Sequence, residues 1–361
     1  MSDPNTLRIL ELDGGGERGY LSLKFLQLFL NQWLGPSVTN IAPYFDVICG
    51  TSIGGIVALS LAAGQNPYNL DSFFTVQGKQ VFSTNGVDSN RASTLDKIFS
   101  LTVSGVPFYS TQGTSNTYGS NLLASELQTM FGANTMQSLQ TKVVIPTYKV
   151  DLRQDNTISK GVYTLCSNVN TLGFVGQNEL ISNVGLVTSA APFYLPSRLI
   201  TSVNPEDATY LNGRYTDGGV YANNSASFGR NLAQILKPNA NRCCVLSIGT
   251  GRGEMGFDDP TSNILRLTDS DPLVSVTNLF GLFDVASTGG QESVAQNLFF
   301  ESRYTLSRLY YYRFQPVLDT ALDTELDNTD DSILTYYANT SSNYYNSDLD
   351  NITTFIGHLT A

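Results

Sequence analysis

The stretch FDVICGTSIGGIVALS, Phe45 to Ser60, constrains this chain more than any other. An apolar run leads into Gly50-Thr51-Ser52-Ile53-Gly54-Gly55. An apolar helical pattern, Ile56 to Ala63, follows without a break and ends at Gly64, with Pro67 close behind. Glycines at 50 and 54 permit a sharp, crowded strand-to-helix turn that lifts the Ser52 hydroxyl above a sheet, while the helix start points backbone N–H groups at any developing anion. Alone, this motif is weak evidence, because small residues open many helices.

A second unit of the same kind precedes it. LRILELDGGG, Leu7 to Gly16, is a short apolar strand ending in glycines, and YLSLKFLQLFLNQWLG repeats apolar residues at helical spacing until Gly35-Pro36. Trp33 falls on that helix and reads as core. Two successive strand–turn–helix units predict an α/β fold with a mostly parallel sheet covered by helices. Further strands are expected at Thr141–Asp151, despite Pro146, at GVYTLCSN, at RCCVLSIGTG and at the tyrosine-rich RLYYYRF. The segment NELISNVGLVTSAAPFYLP reads as a helix stopped by Pro192, with Ser189-Ala190-Ala191 small enough for another backbone to approach.

Three consecutive glycines, Gly14, Gly15 and Gly16, leave unobstructed N–H groups in one concave turn, which suits an oxyanion hole. Arg18 could brace that turn or hold a polar head group. A P-loop would need Lys-Ser/Thr after the glycines, and the dinucleotide fingerprint does not fit Gly14, Gly16 and Gly19, with no acidic residue at the usual distance. A phosphate nest remains an alternative. Composition narrows the field further: 20 Lys plus Arg against 31 Asp plus Glu give a net charge of −11, with no basic run, which disfavours nucleic acid. Of four cysteines, Cys49, Cys243 and Cys244 read as small core hydrophobes, and no ligand spacing suggests a metal.

A serine nucleophile needs a base, and the single histidine, His358, lies near the C-terminus at a position that reads as surface. A carboxylate held against the hydroxyl and shielded from water can take its place. Asp217, followed by Gly218 and Gly219 in a turn, is the best local candidate.

Taken together, DGGGERG at 13–19, GTSIGG at 50–55 and DGG at 217–219, in that order, resemble the patatin-like phospholipase family. TSAAPFYLP, SIGTG and YYRFQP extend the likeness past residue 316. The resemblance implies a three-layer α/β/α sandwich. It also implies hydrolysis of glycerolipid esters with Ser52 as nucleophile, Asp217 as its base, Gly14 to Gly16 as oxyanion donors, and Arg18, Gly50, Gly54, Gly218 and Gly219 as support. One departure is Ser225, where the family pattern leads one to expect proline, so the turn loses a stiffening element.

The expected organisation is one catalytic domain over 1–361: a core of about 7–320, an irregular, lid-like stretch at 73–119, and a C-terminal region at 320–361 packed back on the core. Phe108, Tyr109, Phe193 and Tyr194 are candidates for the mouth of an acyl groove. The expected substrate is a long-chain lipid at a membrane surface. No cofactor, metal or nucleic acid is expected, and a protein activator is left open. Without an apolar signal segment or about 18 consecutive apolar residues, the expected location is the cytoplasm, or a secreted effector that carries no signal peptide. Two alternatives stand beside this reading: a non-specific esterase, thioesterase or galactolipase on the same site, and a catalytically silent lipid-binding protein.

Overall fold

The computed structural model describes residues 4–82, 120–152, 158–192, 194–195, 197–201, 211–253, 272–304, 308–319, 322 and 326–360. The chain opens with β1 (Thr6–Leu12), whose residues are all buried. Helix α1 (Gly19–Leu34) then returns along the sheet, and β2 (Val47–Gly50) pairs with β1 in parallel, Ile9 beside Val47. Helix α2 (Ile53–Ala62) follows, and every one of its residues is buried. The two strand–turn–helix units are therefore present as the sequence predicts.

The remaining strands are β3 (Lys142–Leu152), β4 (Ile158–Cys166), β5 (Phe174–Val175), β6 (Arg198–Ile200), β7 (Gly213–Asp217), β8 (Arg242–Ile248), β9 (Arg252–Gly253), β10 (Leu309–Phe314) and β11 (Val317–Leu318). Among the described residues the main sheet has nine strands, in the order β10-β8-β1-β2-β3-β4-β5, with β7 also on β3 and β6 on β7. The block from β10 to β3 is parallel, whereas β4 and β7 run antiparallel to β3. β9 and β11 form a separate pair. The longer helices that follow are α3 (Ser120–Phe131), α4 (Ile181–Thr188), α5 (Ala226–Leu236), α6 (Pro272–Tyr304), α7 (Asp331–Ser347) and α8 (Leu349–Thr360), with a single helical turn at Gly219–Ala222.

Strand alternation divides the core into two layers. Leu10 and Leu12 of β1, Ile48 of β2 and Leu246 of β8 face the layer built with α1, α2, α4, α7 and α8. Leu7, Ile9, Val47, Cys49 and Val245 face the layer with α5 and α6. This is an α/β sandwich with a mostly parallel central sheet. Phe25 anchors the first layer, its ring stacked 4.0 Å from Phe314 of β10 and edge-on to Tyr344 of α7. The four cysteines are all buried and free.

Several elements differ from their sequence reading. Residues 73–78, expected to be irregular, form a π-helix, and Lys79–Val81 continues it as a helical turn. The rest of the lid-like stretch, with Phe108 and Tyr109, lies outside the described residues, as does Phe193. α4 ends at Thr188, before Pro192, because the chain turns there to meet β7. The turn-rich reading of 210–226 missed β7. Trp33 is half-buried at the core's edge against Phe29, Tyr44 and Phe45, not inside it. His358 stacks on Tyr310 at 3.9 Å, and burial pushes its pKa down. No helix among the described residues is long and apolar enough to cross a membrane.

Phe25 is fully buried, so truncation removes its ring contacts with Phe29, Tyr312, Phe314, Tyr344 and Tyr345 as well as area. Phe25→Ala is expected to lower unfolding stability by about 3–5 kcal/mol, whereas Leu172→Ala should fall within about 0.5 kcal/mol of the parent, because Leu172 is 81% exposed. Urea unfolding checks both.

Candidate active site

The site forms where β3 changes partners. Along one edge β3 pairs with β2 as far as Cys49 beside Val144, and then with β7, which runs the other way and ends with Asp217 beside Thr147. Two strands thus point their C-terminal ends at one another across a gap in which Ile145 and Pro146 fall. Ser52 follows β2 and Asp217 ends β7, so 165 positions of sequence separation become a local contact.

Ser52 sits at φ 57, ψ −127, the mirror image of an extended conformation and unusual for any residue with a side chain. Its N–H donates to Thr188 Oγ1 at 3.1 Å, and the Thr188 hydroxyl donates to Pro146 O at 2.8 Å. Thr51 Oγ1 donates to Ala222 O at 2.6 Å, tying the serine turn to the segment after Asp217. The crowding that glycine permits is measurable: a Cβ on Gly54 would stand 2.2 Å from Leu12 O, and one on Gly50 2.4 Å from Gly54 O.

Asp217 is 1% exposed, while Ser52 is half-buried. Its N–H donates to Ala190 O at 3.0 Å, as does the Thr216 hydroxyl at 2.7 Å, so the small residues at 189–191 receive another backbone as their size suggested. Asp217 Oδ1 accepts the Gly219 N–H at 2.6 Å; Oδ2 is buried with no aligned hydrogen-bond partner. Burial pushes the carboxyl up to about 7, against the opposing pull of the Ser52 hydroxyl and the Gly219 N–H. Ser52 therefore lies close enough to act on Asp217 electrostatically without an aligned bond to Oδ2. A Cβ on Gly218 would stand 2.3 Å from Pro146 O, which accounts for glycine there.

Gly14 to Gly16 lie beside Ser52 but are not equivalent. The Gly14 N–H donates to Asn223 O at 3.4 Å, and the Gly14 carbonyl accepts from Asn223 Nδ2 at 3.3 Å and Thr250 Oγ1 at 2.9 Å. Among the described residues the Gly15 and Gly16 N–H groups make no backbone hydrogen bond. Gly16 needs its φ of 55 and its missing side chain, since a Cβ would stand 2.1 Å from Leu326 O, which also accepts the Glu17 N–H at 2.8 Å.

A cleft opens over these groups. Ile53, Ile56, Phe73, Val81, Phe82, Leu123 and Leu195 give it apolar lining, Tyr194 and Arg18 also reach it, and Asn223, Ser287, Thr288 and Gln291 contribute polar lining. Glu17 lines it too, its carboxyl pushed up to about 8 by burial. No group of three or more His, Cys, Asp or Glu that could hold a metal occurs among the described residues.

Sequence reasoning missed Asn223, Asn224, Thr188, Thr250, Gln291 and Arg313. The signal that could have found some of them is polarity out of place: Glu11 inside TLRILEL, Arg313 inside LYYYRF and two adjacent asparagines separated from the DGG turn by three residues. Ser225, the departure from the expected proline, is fully buried and donates its N–H to Glu11 Oε1 at 3.2 Å, a bond proline could not make.

Glycine adopts the positive φ that Ser52 holds under strain. Ser52→Gly is expected to raise unfolding stability by about 1 kcal/mol. A lower midpoint in urea would show an unstrained turn.

A model of the family described as patatin-like phospholipase matches residues 10–228. The chain is 28% identical over 261 residues to patatin-like protein 1 of Oryza sativa subsp. indica, with 67% of this chain and 58% of the relative covered. It is 28% identical over 258 residues to a cGAMP-activated phospholipase of Escherichia coli strain TW11681, with 69% and 63% covered. The chain thus spans about three fifths of the length of these curated relatives. Among solved structures, human GIVD cytosolic phospholipase A2 aligns with a TM-score of 0.45 at 10% identity, over 99% of this chain and 61% of that one. VipD from Legionella pneumophila aligns with a TM-score of 0.41 at 12% identity, over 96% and 68%. The family match takes in the triple-glycine turn, Ser52 and Asp217, and the chain belongs to the patatin-like phospholipase family.

Proposed function

We propose that this chain is a lipid acyl hydrolase that cleaves carboxylic ester bonds of phospholipids or related glycerolipids through Ser52 and Asp217. The observation that carries the reading is the meeting of a serine in a positive-φ turn with a buried carboxyl whose Oδ2 lacks an aligned partner. Family membership supports an enzyme acting on lipids. The apolar lining of the cleft suits an acyl chain, and the chain works as one catalytic unit, because Thr250, Gln291 and Leu326 beyond the family match brace or line the site.

In the first half-reaction Asp217 takes the Ser52 proton as Oγ attacks the ester carbonyl carbon. The carbonyl oxygen becomes an oxyanion facing the Gly15 and Gly16 N–H groups and the start of α2. Collapse breaks the ester C–O bond, the alcohol leaves with the proton held by Asp217, and an acyl-Ser52 remains. Water then gives its proton to Asp217, attacks the acyl carbon and releases the fatty acid, and the proton returns to Ser52. Burial of Asp217 raises its basicity toward neutral pH, as a general base requires.

Ser52→Ala and Asp217→Asn are each expected to lower fatty-acid release from phospholipid vesicles by at least about 10³-fold, and the double variant to be little worse than either single one, because the two act as a unit. Additive losses would contradict the shared role.

The base must be ionised, so kcat/KM should rise with pH through about 7. Glu17→Gln should leave that limb in place, which separates it from a group titrating near 8. Stability should move the opposite way. The folded carboxyl titrates above its unfolded value, so its contribution is fully present in acid and is lost as pH rises through about 7. Asp217→Asn should therefore gain stability over the parent at pH 8 more than at pH 5, read by urea unfolding at both.

A further inference from the structure

Behind the triple-glycine turn lies a buried cluster that the ester chemistry does not touch. Glu11, the neighbouring residue of β1 on the α5/α6 face, and Asp13, the residue before Gly14, are 0% and 1% exposed. The Arg313 guanidinium of β10 meets both: Nη2 donates to Asp13 Oδ2 at 2.5 Å, and Nη1 donates to Ser247 Oγ at 2.8 Å and lies 3.7 Å from Glu11 Oε2. Asn224 Nδ2 lies 2.9–3.0 Å from Asp13 Oδ1, Glu11 Oε2 and Ser247 Oγ, and Gln291 of α6 donates to Asp13 Oδ2. Ser247 Oγ donates to Glu11 Oε2 at 2.5 Å.

Two carboxyls therefore share one cation in a site closed to water. Asp13 is joined directly to the glycines whose N–H groups would receive an oxyanion, so an uncompensated charge on it would repel the anion forming there. We propose that Arg313 is a positioning residue for the ester-cleaving site: it neutralises Asp13 behind the oxyanion turn and fixes the turn's entry angle. This rests on the reading of Ser52 as the nucleophile. Arg313, Ser247 and Gln291 all lie beyond residue 228, so the C-terminal third supplies the counter-charge for a turn inside the family match.

Charge balance makes a demand that simple packing does not. Removing the cation harms the turn, and removing the anion opposite it restores the balance. Arg313→Lys, Arg313→Met, Asp13→Asn and Arg313→Met/Asp13→Asn are compared in the full chain, by hydrolysis of a soluble nitrophenyl ester and by urea unfolding. Arg313→Met is expected to lose about tenfold or more in kcat with KM nearly constant, since an oxyanion contact acts mainly in the transition state. Arg313→Lys should keep most activity, and the double variant should regain both turnover and unfolding midpoint relative to Arg313→Met. A double variant slower and less stable than Arg313→Met overturns the proposal, as does Arg313→Met with parental kcat. The unfolding midpoints read the charge balance independently of turnover, so a parent without esterase activity counts against the ester reading alone, while an unrescued midpoint counts against the role of Arg313.

Discussion

The site depends on β3 accepting two strands end to end along one edge. β2 arrives in parallel and stops at Gly50, β7 arrives antiparallel and stops at Asp217, and the sheet registers leave only Ile145 and Pro146 between their last partners. Backbone pairing thereby does what side chains could not do alone. It brings a serine and a carboxyl together from distant parts of the chain and holds them on rigid elements. The positive φ of Ser52 is the local strain that this arrangement maintains, over-determined by the Thr188 and Thr51 hydrogen bonds and by α2 packed tightly behind.

Burial then gives the carboxyl its character. Asp217 is held by backbone on both sides, through Ala190 and Gly219, and among the described residues no cation pairs with it. Desolvation therefore dominates and pushes its pKa up to about 7, which suits the base proposed for Ser52. Asp13 is the contrast within the same fold: equally buried, it faces the Arg313 guanidinium. One carboxyl is raised by burial, and the other lies against a guanidinium.

The fold and the two central residues were legible in the sequence because they are written in short-range signals: apolar strands ending in glycine, helical periodicity and the spacing of GTSIGG and DGG. β1, α1, β2 and α2 follow directly from those patterns. What was not legible depends on long-range pairing. β7 read as turns because Gly213 and the following polar residues alternate weakly, and only pairing with β3 makes them a strand. The π-helix at Phe73–Gly78 carries no propensity signature. Arg313 meets Asp13 through sheet order, which places β10, β8 and β1 side by side, while Asn223 and Gln291 reach Gly14 and Asp13 from outside the sheet. Gly14 illustrates the limit within a motif: three glycines look alike in sequence, but the N–H of the first is committed to Asn223.

The central claim is that Ser52 carries the acyl group and that Asp217 activates it. The most direct measurement is the intact mass, followed by peptide mapping, of the chain acid-quenched within milliseconds of mixing with a long-chain nitrophenyl ester, for the parent and for Asp217→Asn. The account predicts one acyl group on the peptide containing Ser52 in the parent and almost none in Asp217→Asn. An acyl group on another peptide, or equal acylation of Ser52 in both chains, would contradict it.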